Sequence, residues 1–88
     1  NIPIVLGEIA NKQDDNSGNC VYNLDVATIM QAAHANNIGY LAWIWTQDNC
    51  GARQMTTNGN FNTLSAYGNT IVNTSTTGIN YAQKSRCW

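Results

Sequence analysis

The chain opens with an apolar run, Ile2-Pro3-Ile4-Val5-Leu6-Gly7, closed by its only glutamate, Glu8. A run of this length reads as a strand covered on both faces, the kind that parallel sheets hold between helices. About one βα unit later comes a second apolar run, Gly39-Tyr40-Leu41-Ala42-Trp43-Ile44-Trp45-Thr46. The stretch between them has helical periodicity over about 24–36. Asn23 suits its N-cap, Asp25 falls in the first turn, and Val26, Ile29, Met30 and Ala33 form one apolar stripe that Gly39 closes. A second helix is expected from about Asn62, where Leu64, Tyr67, Ile71 and Val72 recur at helical spacing. The order is β-α-β-α, and a crossover between the strands must be right-handed and leave them parallel.

Strand alternation over residues 2–8 puts Ile4, Leu6 and Glu8 on one face and Pro3, Val5 and Gly7 on the other. Residues 11–22 contain Asp14-Asp15-Asn16-Ser17-Gly18-Asn19 and read as a turn-rich loop. Its acidic residues lack the glycine position and the closing glutamate of a calcium loop, so they are expected to be solvated. Residues 47–61 read as a second long loop, and 74–88 as a Thr-rich tail without clear periodicity. The 88 residues make one domain, with the βαβα units in 2–73. Two parallel strands with helices on one face leave unpaired edges and an uncovered face. That face, read as Ile4, Leu6, Leu41 and Trp43, is expected to be covered by a second copy of the chain or by further βα units.

With a net charge of −1, the chain offers no electrostatic case for nucleic acid or an anionic membrane surface. No apolar segment is long enough to span a bilayer. Neither an initiating Met nor a signal peptide is present, which suggests a processed or trimmed N-terminus. Polarity comes from fourteen Asn and many Thr, Ser and Gly, a surface that suits a secreted, extracellular protein. Cys20 and Cys50 each follow a strand, in loops expected on the same side. A bridge between them would close a loop of about 30 residues, worth roughly 3–4 kcal/mol. Cys87 is then free or pairs with another chain. With no CxxC and no Cys/His cluster, neither a metal site nor a cofactor is expected. His34 reads as a helix-surface residue, and Asn73-Thr74-Ser75 matches a glycosylation acceptor.

Three segments together carry a resemblance: Pro3-Ile4-Val5-Leu6-Gly7-Glu8, Gly39-Tyr40-Leu41-Ala42-Trp43-Ile44-Trp45, and Asn62-Thr63-Leu64-Ser65-Ala66-Tyr67-Gly68. In this order and spacing they resemble the end of a retaining glycosidase of the cellulase/mannanase type, glycoside hydrolase family five, a (β/α)8-barrel family. The resemblance spans roughly residues 2–73 and implies the seventh and eighth βα units, the last quarter of a TIM barrel. Active sites of such barrels lie at the C-terminal ends of the strands. The resemblance maps the nucleophile onto Glu8 and a sugar-binding tryptophan onto Trp43, with a β-linked polysaccharide or oligosaccharide as substrate. The Ala-Trp-x-Trp pattern is closer to β-mannanases than to plain cellulases. Retaining chemistry needs a second carboxyl about 5 Å from the nucleophile. In the family this acid/base lies upstream, and no equivalent is found in this chain.

The residue types suit that chemistry. An ionised Glu8 would need polar donors around it. An indole face can bury the C–H surface of a pyranose ring. Trp43 and Trp45 share a strand face, so one could line the site while the other packs, in either order. Asp48, Asn49, Arg53 and Gln54, in the loop that follows, are candidate hydroxyl contacts. Three classes of function remain open: the terminal segment of a retaining β-glycanase, a carbohydrate-binding module that does not turn over, and a purely structural self-assembling unit.

Overall fold

The computed structural model describes residues 2–82. Its elements are β1 (Val5–Ile9), β2 (Lys12–Asp14), β3 (Cys20–Asn23), α1 (Val26–Ala35), β4 (Gly39–Ala42) and α2 (Ala66–Asn73), with single 3-10 turns at Gly51–Arg53, Phe61–Thr63 and Ile79–Tyr81. β1 and β4 pair in parallel, with Val5 opposite Gly39 and Leu6 opposite Tyr40. The architecture is α/β with a parallel sheet of two strands. Cys87 and its neighbours lie outside the described residues.

Both helices pack on one face of the sheet. Met30 from α1 and Ile71 from α2 are fully buried, and with Ile9, Val26, Met55 and Tyr67 they form a single cluster, against which Leu6, Tyr40 and Ala42 pack from the sheet. Each such aliphatic side chain contributes about 1.5–3 kcal/mol when taken out of water. The other face is open: its Val5 and Leu41 are 60% and 61% exposed, and Ile4, just before β1, is 58% exposed.

The register of β1 differs from simple alternation. Leu6 pairs with Tyr40 but Ile9 pairs with Ala42, so β1 holds one residue more than β4 between these pairs. The extra residue falls at Gly7-Glu8 and flips the parity of the strand, as a bulge does. Leu6 and Ile9 both reach the core, whereas Glu8 and Val5 are exposed. Alternation would have grouped Leu6 with Glu8. The bulge separates them.

Other boundaries also shift for local reasons. Residues 11–22 are not all loop: β2 and β3 form an antiparallel hairpin. Its turn is closed by Asp15, whose carboxylate accepts from the backbone of Ser17 at 2.8 Å and Asn19 at 2.9 Å, and by Gly18 at φ +82°. Every residue of this hairpin is exposed or half-buried, so no alternation of burial marks its strands in the sequence. Because Asn23 ends β3, the cap of α1 is Asp25, which accepts from Thr28 N at 3.2 Å.

β4 ends at Ala42, before either tryptophan. Trp43 N still donates to Ile9 O at 2.8 Å, but Ile44 then pairs with Arg53 and Met55 (3.0 and 2.8 Å) and Trp45 O accepts from Thr56 N. The chain has exchanged β1 for its own downstream loop. The peptides Trp43–Ile44 and Thr46–Gln47 are cis. α2 starts at Ala66 because Ser65 caps it, accepting from Gly68 N at 3.0 Å, while residues 61–63 turn separately. The tail continues in order to Ala82, with Gly78 N bonded to Thr74 O.

Candidate functional site

Beyond the C-terminal ends of β1 and β4 lies an open depression of about 550 Å³. Glu8, Trp43, Asp48 and Arg53 all line it, joined by Lys12 and Asp14 from β2. Four of the sequence-derived site residues thus share one cavity. Trp45 lies elsewhere: its Nε1–H donates to Gly59 O at 2.9 Å, its ring stacks on Phe61 with centroids 6.2 Å apart, and it packs against the core. Of the two tryptophans, Trp43 borders the depression.

Glu8 owes its position to the bulge that turns it away from the core. It is exposed on the rim, with no hydrogen-bond partner among the described residues. The polar donors expected around an ionised nucleophile are therefore not supplied by these residues.

Trp43 is 36% exposed, one residue past the end of β4. Its backbone is fixed from below by a residue of α2. The Tyr67 hydroxyl donates to Trp43 O at 2.6 Å and approaches Ile9 O at 3.3 Å, tying together the ends of both strands. Burial pushes the Tyr67 phenol up to about 12, so the hydroxyl keeps its proton as a donor. Gly68 brings Tyr67 close, because a Cβ at this position would run into the Met55 carbonyl. The Tyr-Gly pair of the third segment is thus a packing device beneath the site. Its signal in the sequence was a hydroxyl-bearing aromatic on the buried stripe of a helix.

The indole edge of Trp43 is held as firmly as its backbone. Nε1–H donates to Asp48 Oδ1 at 3.0 Å. Asp48 Oδ2 accepts from Cys50 N at 2.6 Å and Arg53 Nε at 3.0 Å, and lies 2.9 Å from Arg53 Nη2. Asp48 N in turn donates to Gln54 Oε1 at 3.1 Å. These donors, first the indole and then the Cys50 amide, hold the Asp48 carboxyl below its usual range, and the Arg53 guanidinium adds to them. Arg53 also reaches Asp14 Oδ1 on β2, with Nη1 at 3.2 Å. Cys20 of β3 and Cys50 are joined by a disulfide with Cα atoms 6.1 Å apart, which pins the hairpin beside the same loop.

Chemically, the depression offers one exposed carboxylate outside any ion pair of the described residues, Glu8, with an indole surface, a lysine and an Asp14–Arg53–Asp48 chain of net charge −1. Among the described residues, no group of three or more His, Cys, Asp or Glu could hold a metal ion. None of their helices is long and apolar enough to cross a membrane.

A mannan endo-1,4-beta-mannosidase of Cellvibrio japonicus is 36% identical to this chain over 81 residues, which cover 90% of the chain and 17% of that protein. The chain thus spans about a sixth of the length of the curated relative it matches. No protein-family model matches the chain, and no solved structure does.

Proposed function

We propose that this chain is the C-terminal part of a retaining endo-β-mannanase of the (β/α)8-barrel type, with Glu8 as the nucleophile and Trp43 as the sugar platform beside it. One observation carries the reading: an exposed carboxylate with no ion pair among the described residues, Glu8, and a tryptophan line the same depression beyond the C-terminal ends of two parallel strands. This is the end at which parallel barrels assemble active sites. The similarity to a mannosidase supports the substrate class, β-1,4-linked mannan.

In this reading Glu8 attacks the anomeric carbon and forms a glycosyl-enzyme ester. A second carboxyl first protonates the departing oxygen and then activates water. Asp14 and Asp48 are engaged with Arg53, so the acid/base comes from residues beyond these 88 or from another copy. The open sheet face of Val5 and Leu41 is where neighbouring βα units would pack, and in the isolated chain a second copy takes their place.

Four measurements test the reading. A 2-fluoro mannosyl fluoride, which traps the ester, should label Glu8 in the longer polypeptide, and Glu8→Gln should abolish mannan hydrolysis. Labelling of any other carboxylate, or retained turnover in Glu8→Gln, rejects the assignment. The isolated chain should lack hydrolysis and scatter light as more than a 9.6 kDa monomer at low micromolar concentration. A second reading, binding without turnover, gains support if the isolated chain retains mannohexaose through Trp43 and the longer polypeptide is never labelled.

A further inference from the structure

The geometry points to Asp48 as a positioning residue for the Trp43 platform, itself held by Arg53 and, through it, by Asp14 of the hairpin. The inference deepens the glycanase reading and takes from it only the role of Trp43 as a platform. The placement of the indole stands on its own.

Trp43 lies past the end of β4, where no ladder partner fixes its side chain. A partly exposed indole on irregular chain has rotamer freedom that would be lost on binding, at a cost in affinity. Here the ring is fastened at its one polar atom. The acceptor is a carboxylate whose other oxygen takes the Cys50 amide and two guanidinium nitrogens. The bond to Trp43 is thus charge-assisted, and its acceptor cannot swing away without breaking the others. The side chains of Asp48 and Arg53 are only 11% and 15% exposed. Oδ2 takes three protein donors and Oδ1 takes the indole, so most of the carboxylate's acceptor capacity is spent within the protein. The arrangement therefore suits orientation of the ring better than direct sugar contact by Asp48. Asp14 supplies the outer end: it holds Arg53 from β2, at 3.2 Å, so the hairpin bears on the angle of the guanidinium.

The test reads the Trp43 indole N–H resonance of the 15N-labelled chain, identified by its loss in Trp43→Phe, alongside mannohexaose binding. Asp48→Ala should speed solvent exchange of the Trp43 indole proton about tenfold, as expected for loss of a charge-assisted bond. It should leave the Trp45 indole unmoved. Arg53→Met should give a smaller change in the same direction. Asp48→Asn, which keeps an acceptor, should restore most of the protection; if Asp48→Ala does not fold, the Asn and Met variants carry the comparison. Mannohexaose affinity should fall in step with indole protection. An indole unaffected by Asp48→Ala overturns the inference. So does an affinity loss with the indole unmoved, which would make Asp48 a direct sugar contact. If the wild-type chain binds no mannohexaose yet the indole responds as described, the positioning role stands and the reading of binding without turnover loses its support.

Discussion

The β2–β3 hairpin and the loop after β4 invert the usual relation between regular structure and order. The hairpin has ladder hydrogen bonds but no buried residue. The loop has no strand or α-helix, yet it contains buried Cys50, Met55 and Thr56 and supplies Asp48 and Arg53, which hold the Trp43 indole. Thr56 shows how. Only 1% exposed, it donates to Trp45 O at 3.0 Å and accepts from Gly59 N at 2.8 Å, replacing a ladder with side-chain bonds. The hairpin hangs on the loop through three attachments confined to residues 50–53: the Cys20–Cys50 disulfide, Asn11 Nδ2 donating to Ala52 O at 2.9 Å, and the Asp14–Arg53 ion pair. Order in this molecule follows burial and satisfied polar groups rather than secondary structure.

The largest expected effect comes from removing the disulfide. Cys20→Ser with Cys50→Ser should lower stability by about 3–4 kcal/mol, the chain-entropy value for a loop of this size. Amide exchange should speed up in β2 and β3 ahead of α1 and α2. Equal loss of protection everywhere would show that the hairpin is not a separate layer.

Next is Gly68→Ala, which drives a methyl group against the Met55 backbone. Overpacking of this kind costs roughly 1–3 kcal/mol. Urea unfolding should show that loss, and the 54–56 amides should shift. Unchanged stability would mean that the loop yields freely and is looser than its buried residues imply. Tyr67→Phe is expected to cost about 1–2 kcal/mol, since it leaves the Trp43 carbonyl without its hydroxyl donor. The disturbance should concentrate at the ends of β1 and β4. A change confined to α2 would argue against the bridge between them.

The smallest effects follow pH. Asp48, Asp15 and Asp25 all have carboxyls held below the usual value of 3.8, so the unfolded chain takes up protons first as pH falls. Their stabilising contribution is complete above that value and is lost as pH drops through the lower folded-state values. In the same window the Trp43 indole should lose protection along with Asp48. At the alkaline end the sign is reversed in charge but not in outcome. Tyr67 keeps its proton to about 12 in the fold but releases it near 10 when unfolded, so stability falls above pH 10. A flat thermal midpoint between pH 5 and 2.5 would refute the acid half of this account.

The sequence by itself determined the parallel pair, the crossover helix, the helical stripe of α2, the pairing of Cys20 with Cys50 and the placing of Glu8 and Trp43 at one end of the sheet. Each rests on a local signal: an unbroken apolar run, a 3.6-residue repeat, or two half-cystines on loops that leave the same edge. Only the tertiary structure decided the rest. The bulge at Gly7-Glu8 depends on where β4 offers its partners, so alternation along β1 alone could not find it. The hairpin has no buried face to leave a pattern. The division of labour between Trp43 and Trp45 is set by what the following loop offers each indole, Asp48 for one and Gly59 with Phe61 for the other. Identical side chains two residues apart carry no mark of such partners, because a hydrogen bond is chosen by position in space and not by spacing along the chain.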